Sequence, residues 1–166
     1  NVAIPDNNVN GLSSVITIGS GSSIQGVEVD VDIAHFSIGQ LVVELVSPNG
    51  TTVTLHNRTG GTGDNIVGTW PTTLVVGGPG ELADFNGVGA TGDWTLKISD
   101  RVFGATGSLR TWGWRLLVTS PAAADAGGEE GPGGVANPRR QRDEIQRDIA
   151  VTQRDALPVP RSRPRQ

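Results

Sequence analysis

No cysteine occurs anywhere in the 166 residues. Its absence excludes disulfides, thiolate catalysis and cysteine-ligated zinc. There are only two histidines, His35 and His56, and neither stands in an H-E-x-x-H helix. No serine occupies a G-x-S-x-G elbow. A hydrolase needs an activated nucleophile with its base, or a metal with an open position. Independent catalysis is therefore not expected. No segment approaches the ~20 consecutive apolar residues of a membrane helix. The opening NVAIPDNN carries neither a basic n-region nor an apolar h-region. It reads as a mature product or an excerpt of a longer chain.

What is present is unevenly spread. Residues 1–120 hold 19 of the 24 Gly and every Trp and Phe, while residues 121–166 hold 6 of the 10 Pro, 8 Arg and no aromatic. Residues 1–120 carry 10 acidic and 5 basic side chains, a net of −5; the remainder carries 7 acidic and 8 basic, a net of +1. This reads as one domain over 1–120, a flexible linker over 121–137 and an Arg-rich tail over 138–166. Gln-Arg-Asp occurs three times in the tail, and a short helix over 139–157 would have only Ile145, Ile149 and Ala156 as its apolar stripe. Such a helix has little to bury, so the tail is expected to be disordered or weakly helical. An acidic domain is a poor electrostatic match to nucleic acid.

The domain reads as all-β. In Gly39–Leu55, Leu41, Val43 and Leu45 share one face of a strand, because side chains alternate. Ser47-Pro48-Asn49-Gly50 predicts a type I turn with a Gly bulge, followed by a strand over Thr51–Leu55. Val27, Val29, Val31 and Ile33 alternate with Glu28, Asp30 and Asp32, apolar in and acidic out. Further strands are expected at Ser13–Ile18, Trp94–Ile98 and Trp112–Val118. Asn57–Gly92 is irregular and rich in Gly, Asn, Asp and Thr. Many short strands with Gly-rich turns imply an antiparallel β-sandwich, most simply a jelly roll. Phe36, Phe85, Trp94 and either Trp112 or Trp114 are the expected core aromatics.

The order of motifs is family-like. It runs Ile4-Pro5-Asp6, Ser13-Ser14, the Val27–Ile33 strand, His35 and Gly39-Gln40-Leu41. It continues through Leu45-Val46-Ser47-Pro48-Asn49-Gly50-Thr51, Leu55, Arg58, Gly60-Gly61, Asp64-Asn65 and Phe85-Asn86-Gly87. It closes on Gly92-Asp93-Trp94-Thr95-Leu96, Ser99-Asp100 and Gly107-Ser108-Leu109 with Trp112. Over about residues 3–119 this resembles the P domain, or Homo B domain, of proprotein convertases and bacterial subtilisin-like proteases. The resemblance implies a jelly-roll module C-terminal to a protease catalytic domain, most often a subtilisin-like serine endopeptidase and sometimes a metalloprotease. It implies a non-catalytic role: stabilising the catalytic domain in cis, in a monomeric, secreted or cell-surface protein. Two departures are visible. Gln40 stands where the family usually has Asp, and Pro71 follows Trp70 where acidic residues are common.

The resemblance also brings calcium into view. Calcium takes six to eight hard oxygens. Candidates are Asp64, Asn65, Glu81, Asp84, Asp93 and Asp100, with Asp64, Asn65 and Asp84 the preferred ligands. The competing reading makes Asp64 and Asn65 Asx-turn residues and Asp100 a strand-end cap. Arg58 could bond a carboxylate such as Asp64. His35, at a strand end, is expected as a neutral, hydrogen-bonded ring, with pH sensing as the alternative; His56 is expected to be exposed. Trp70 is either core or an exposed platform for a sugar ring. The second choice would make the domain a free-standing module for carbohydrate or a cell-surface partner.

Overall fold

The computed structural model describes residues 1–118. The predicted linker and tail, with the helix at 139–157, lie outside the described residues. Eight strands form two antiparallel sheets: β1 (Val2–Ile4), β2 (Asn8–Ile18), β3 (Ile24–His35), β4 (Leu41–Val46), β5 (Thr52–Asn57), β6 (Ile66–Trp70), β7 (Gly92–Asp100) and β8 (Gly107–Val118). One sheet has the order β1-β8-β3-β6 and the other β2-β7-β4-β5. Successive strands switch sheets except at the β4–β5 hairpin, and these crossings make the jelly roll.

Alternation along the strands makes the core. Val29, Ile33, Leu41, Val43, Leu45, Leu96 and Ile98 have no exposed surface. Each such side chain contributes roughly 1.5–3 kcal/mol by leaving water. Phe85 packs edge-on to Trp94 at 5.1 Å between ring centroids, and Trp94 lies 4.5 Å from Trp114. The outer face of β3 carries Glu28 and Asp32, which pair with Arg115 and Arg110 of β8.

The β4–β5 turn forms as its sequence dictates. The Gly50 N–H donates to the Ser47 carbonyl at 2.9 Å, and Gly50 takes φ +89°, which only glycine adopts freely. Of the four register shifts among the described strands, two bear on Leu109, Trp114 and His56. In β8 the register steps from Asp32↔Thr111 to Ile33↔Leu109, leaving Arg110 as a bulge residue. Leu109 and Trp114 can then both face inward although their spacing is odd. In β5 the step from Val43↔His56 to Glu44↔Thr54 leaves Leu55 unpaired.

Several expectations need correction. The interval 57–92 is not wholly irregular: it holds β6 and a 3-10 helix at Leu82–Phe85. Phe36 is not core but 74% exposed, because the chain leaves β3 at His35 and turns outward. His56 is buried rather than exposed: the Ile38 carbonyl and Thr59 cover it, beside the β5 bulge. Among the described ion pairs none includes Arg58, whose backbone turns at φ +53° and donates its N–H to the Leu41 carbonyl.

Candidate functional site

The inward rows of β3 and β7 each end in a polar residue. Val29, Val31 and Ile33 lead to His35; Trp94, Leu96 and Ile98 lead to Asp100. Period-two alternation carries both into the interior, at 0% and 1% side-chain exposure. There His35 Nε2 lies 3.2 Å from Asp100 Oδ2. The Ser37 N–H donates to His35 Nδ1 at 3.1 Å, so the hydrogen-bond pattern assigns the ring proton to Nε2 and the imidazole is neutral. Asp100 Oδ1 accepts the Val102 N–H at 3.0 Å, which makes Asp100 the cap of its strand-end loop. The Gly107 Cα sits against this ring, where a Cβ would collide with the imidazole and the Ala34 carbonyl. Glycine is required there by space alone.

This pair ties together one end of the sandwich. Asn65 Oδ1 accepts the His35 N–H at 3.1 Å, and the Asn65 N–H donates to the His35 carbonyl at 2.9 Å. Asp6 accepts the Gly104 N–H at 3.1 Å. Between the joined loops lies a hollow of about 430 Å³, lined by His35, Phe36, Asp64, Asn65, Gly107 and Arg110, among others. A second hollow, of about 290 Å³, shares Asn65 and includes His56, Trp70 and Val75 in its lining. Burial pushes the His56 imidazole below its ordinary pKa, partly offset by its bond to the Ile38 carbonyl at 2.9 Å.

The candidate calcium ligands are dispersed. Asp64 and Asn65 reach the first hollow, but the Asn65 side-chain oxygen already serves His35. Asp84 belongs to the 3-10 helix, where it accepts the Glu81 N–H at 2.9 Å in a capping box with Glu81. Asp93 accepts from the Thr17 hydroxyl at 2.6 Å on the sheet surface, and Asp100 is spent on His35. Among the described residues no three His, Asp or Glu side chains converge as a metal would require. The set Asp64, Asn65 and Asp84 does not fit a calcium cage.

Trp70 is 1% exposed, so it is core and offers no sugar platform. Both histidines are buried, with their ring nitrogens engaged by protein groups. Sequence reasoning named His35 and Asp100 separately and missed the pair. The signal was present: extending each strand's alternation by one step points both side chains at the same interior. It also missed that Phe36 and Phe103 stand exposed at this end, at 74% and 81%.

Known proteins are similar to this chain in sequence and in fold. The leupeptin-inactivating enzyme 1 of Streptomyces exfoliatus is 38% identical over 113 residues, covering 67% of this chain and 23% of that protein. The transglutaminase-activating metalloprotease of Streptomyces mobaraensis is 33% identical over 111 residues, covering 67% of this chain and 13% of that protein. A calcium-dependent protease of Nostoc sp. is 33% identical over 65% of this chain. The crystal structure of an Aeromonas sobria serine protease in complex with a chaperone shares the fold, at TM-score 0.54 and 22% identity, over 72% of this chain and 25% of that one. The chain thus spans less than a quarter of the length of the Streptomyces relatives. Residues 24–118 match the proprotein convertase P-domain model, and the chain belongs to that family.

Proposed function

We propose that this chain is the non-catalytic accessory domain of a secreted or cell-surface protease, packing against the catalytic domain in cis and stabilising its folded state. The observation that carries the reading is the P-domain match on a complete eight-stranded jelly roll whose two histidines are buried and engaged. Among the described residues no helix is long and apolar enough to cross a membrane, and a further relative is named an extracellular basic protease. We take the functional unit to be a monomer whose partner is a subtilisin-like serine endopeptidase domain. A metalloprotease domain is the second reading, favoured by the Streptomyces mobaraensis relative. Calcium dependence is in the printed name of the Nostoc relative; in this chain the dispersed carboxylates argue against placing calcium on Asp64, Asn65 and Asp84. The test is the full-length parent protein with and without this domain. A shortened half-life of proteolytic activity on heating supports the role. An unchanged half-life refutes it. Inhibition of the parent by a serine-directed sulfonyl fluoride rather than by a chelator separates the two catalytic classes.

A further inference from the structure

Eight large apolar side chains are exposed among the described residues, and four of them gather at one end of the sandwich: Val9, Phe36, Val102 and Phe103. Their proximity follows from the backbone. Asn8 pairs with Asp100, Asp6 holds the Gly104 N–H, and the His35–Asp100 bond joins the loops that carry Phe36 and Phe103. The other four, Val15, Val67, Val75 and Leu117, fall on four separate segments. Scattered apolar side chains are ordinary on a surface; two exposed phenylalanines on tied loops are not.

We propose that this end, centred on Phe36 and Phe103, is the surface that docks on the protease catalytic domain, through an apolar patch of that domain. The inference rests on the accessory-domain reading above and adds the place of contact. Two observations favour this occupant over a second copy of the chain. In the Streptomyces relatives the matched segment is at most 23% of the protein, so most of each relative lies outside it. Residues 1–6 run along this same end: β1 is fixed against Gly107–Leu109, and Asp6 is fixed to Gly104. A domain joined ahead of them is tethered within roughly 17 Å of Asp6, at ~3.3 Å per extended residue, and Asp6 is bonded to Gly104 beside Phe103. The buried pair beneath then has a purpose. It holds both aromatic loops in place before contact, so little entropy is lost on docking.

The test uses the full-length parent protein. The pair of substitutions Phe36→Ser and Phe103→Ser is compared with Val15→Ser and Val67→Ser, which remove exposed apolar groups elsewhere. The first pair should shorten the half-life of activity on heating at least tenfold, as truncating two anchors of an interface does; the second should leave it within twofold. An independent measurement labels Phe36→Cys and Phe103→Cys with a maleimide. Both thiols should react at least a hundredfold more slowly than Val15→Cys and Val67→Cys. If removing the whole domain shortens the half-life while the phenylalanine variant matches wild type and its thiols label freely, this surface is wrong and the accessory role stands. If removing the domain changes nothing, both fail. If the thiols are protected only in a dimer and react on dilution, a second copy covers this end and the inference is overturned.

Discussion

Asp100→Ala should be among the most damaging polar substitutions in the domain. The carboxylate accepts from His35 Nε2 at 3.2 Å and from the Val102 N–H at 3.0 Å, and its side chain is 1% exposed. Removing it leaves the buried His35 donor without its acceptor and frees the N–H that holds the loop. Losing a hydrogen bond to a carboxylate costs ~1.5–3 kcal/mol, and two are lost here. A loss of about 4 kcal/mol is expected, against about 6–15 kcal/mol in all for a domain of this size. At ~3–6 °C per kcal/mol the melting temperature should fall by roughly 12–24 °C. Urea unfolding followed by tryptophan fluorescence measures it, since Trp70, Trp94 and Trp114 are all buried. A cycle with His35→Ala isolates the pair: once His35 is gone, Asp100→Ala should cost at least ~1 kcal/mol less. Costs that add to within ~0.5 kcal/mol, or a single-variant cost under ~1 kcal/mol, would refute the argument that the two side chains act as a unit.

Acid should destabilise the domain through His56. Its folded pKa is lowered by burial, so the unfolded state binds the proton first, and stability present above about 6.5 is lost as pH falls. His56→Gln should flatten the slope of stability against pH between about 7 and 5, and an unchanged slope counts against it. Millimolar calcium should leave the melting temperature of the chain unchanged. A site with micromolar affinity would add ~4 kcal/mol at a thousandfold excess, so a rise of more than a few degrees would restore a calcium role. Among the described residues, Gln40 Oε1 is the one buried side-chain polar atom without a partner. Gln40→Met, which keeps the length and removes the polar group, should raise stability by about 1 kcal/mol in the same urea assay.

Much of the fold was legible because period-two patterns survive wherever a strand is flat. The β3 row, the β4 row and the Pro-Asn-Gly turn are read directly from residue type. Legibility fails where a bulge resets the parity. Leu109 and Trp114 look like residues of opposite faces until the step at Arg110 is known. His56 looks exposed because the break at Leu55 cannot be seen in residue types. β6 was missed because Ile66–Trp70 contains glycine and only five residues. Phe36 was misplaced because its type says core, whereas its position just past the end of β3 says rim. The candidate ligands were grouped by their nearness along the chain. The topology separates them, and hydrogen bonds to neighbouring backbone use up Asn65 and Asp84.

The strand order also sets when this domain can come into being. β8 is the last made of the described strands, yet it lies inside its sheet, between β1 and β3. Val27 must find Leu116, and Val2 must find Leu109, across most of the domain's length. A chain leaving a ribosome or a translocation pore therefore has no complete first sheet until residues 107–118 have emerged. Non-local pairing of this kind folds in milliseconds to seconds rather than microseconds. Any support this domain gives a neighbour cannot begin before then. Until then β3 can pair with β6 along one edge but lies bare along the edge that β8 will cover, and such an unpaired edge is exposed to aggregation.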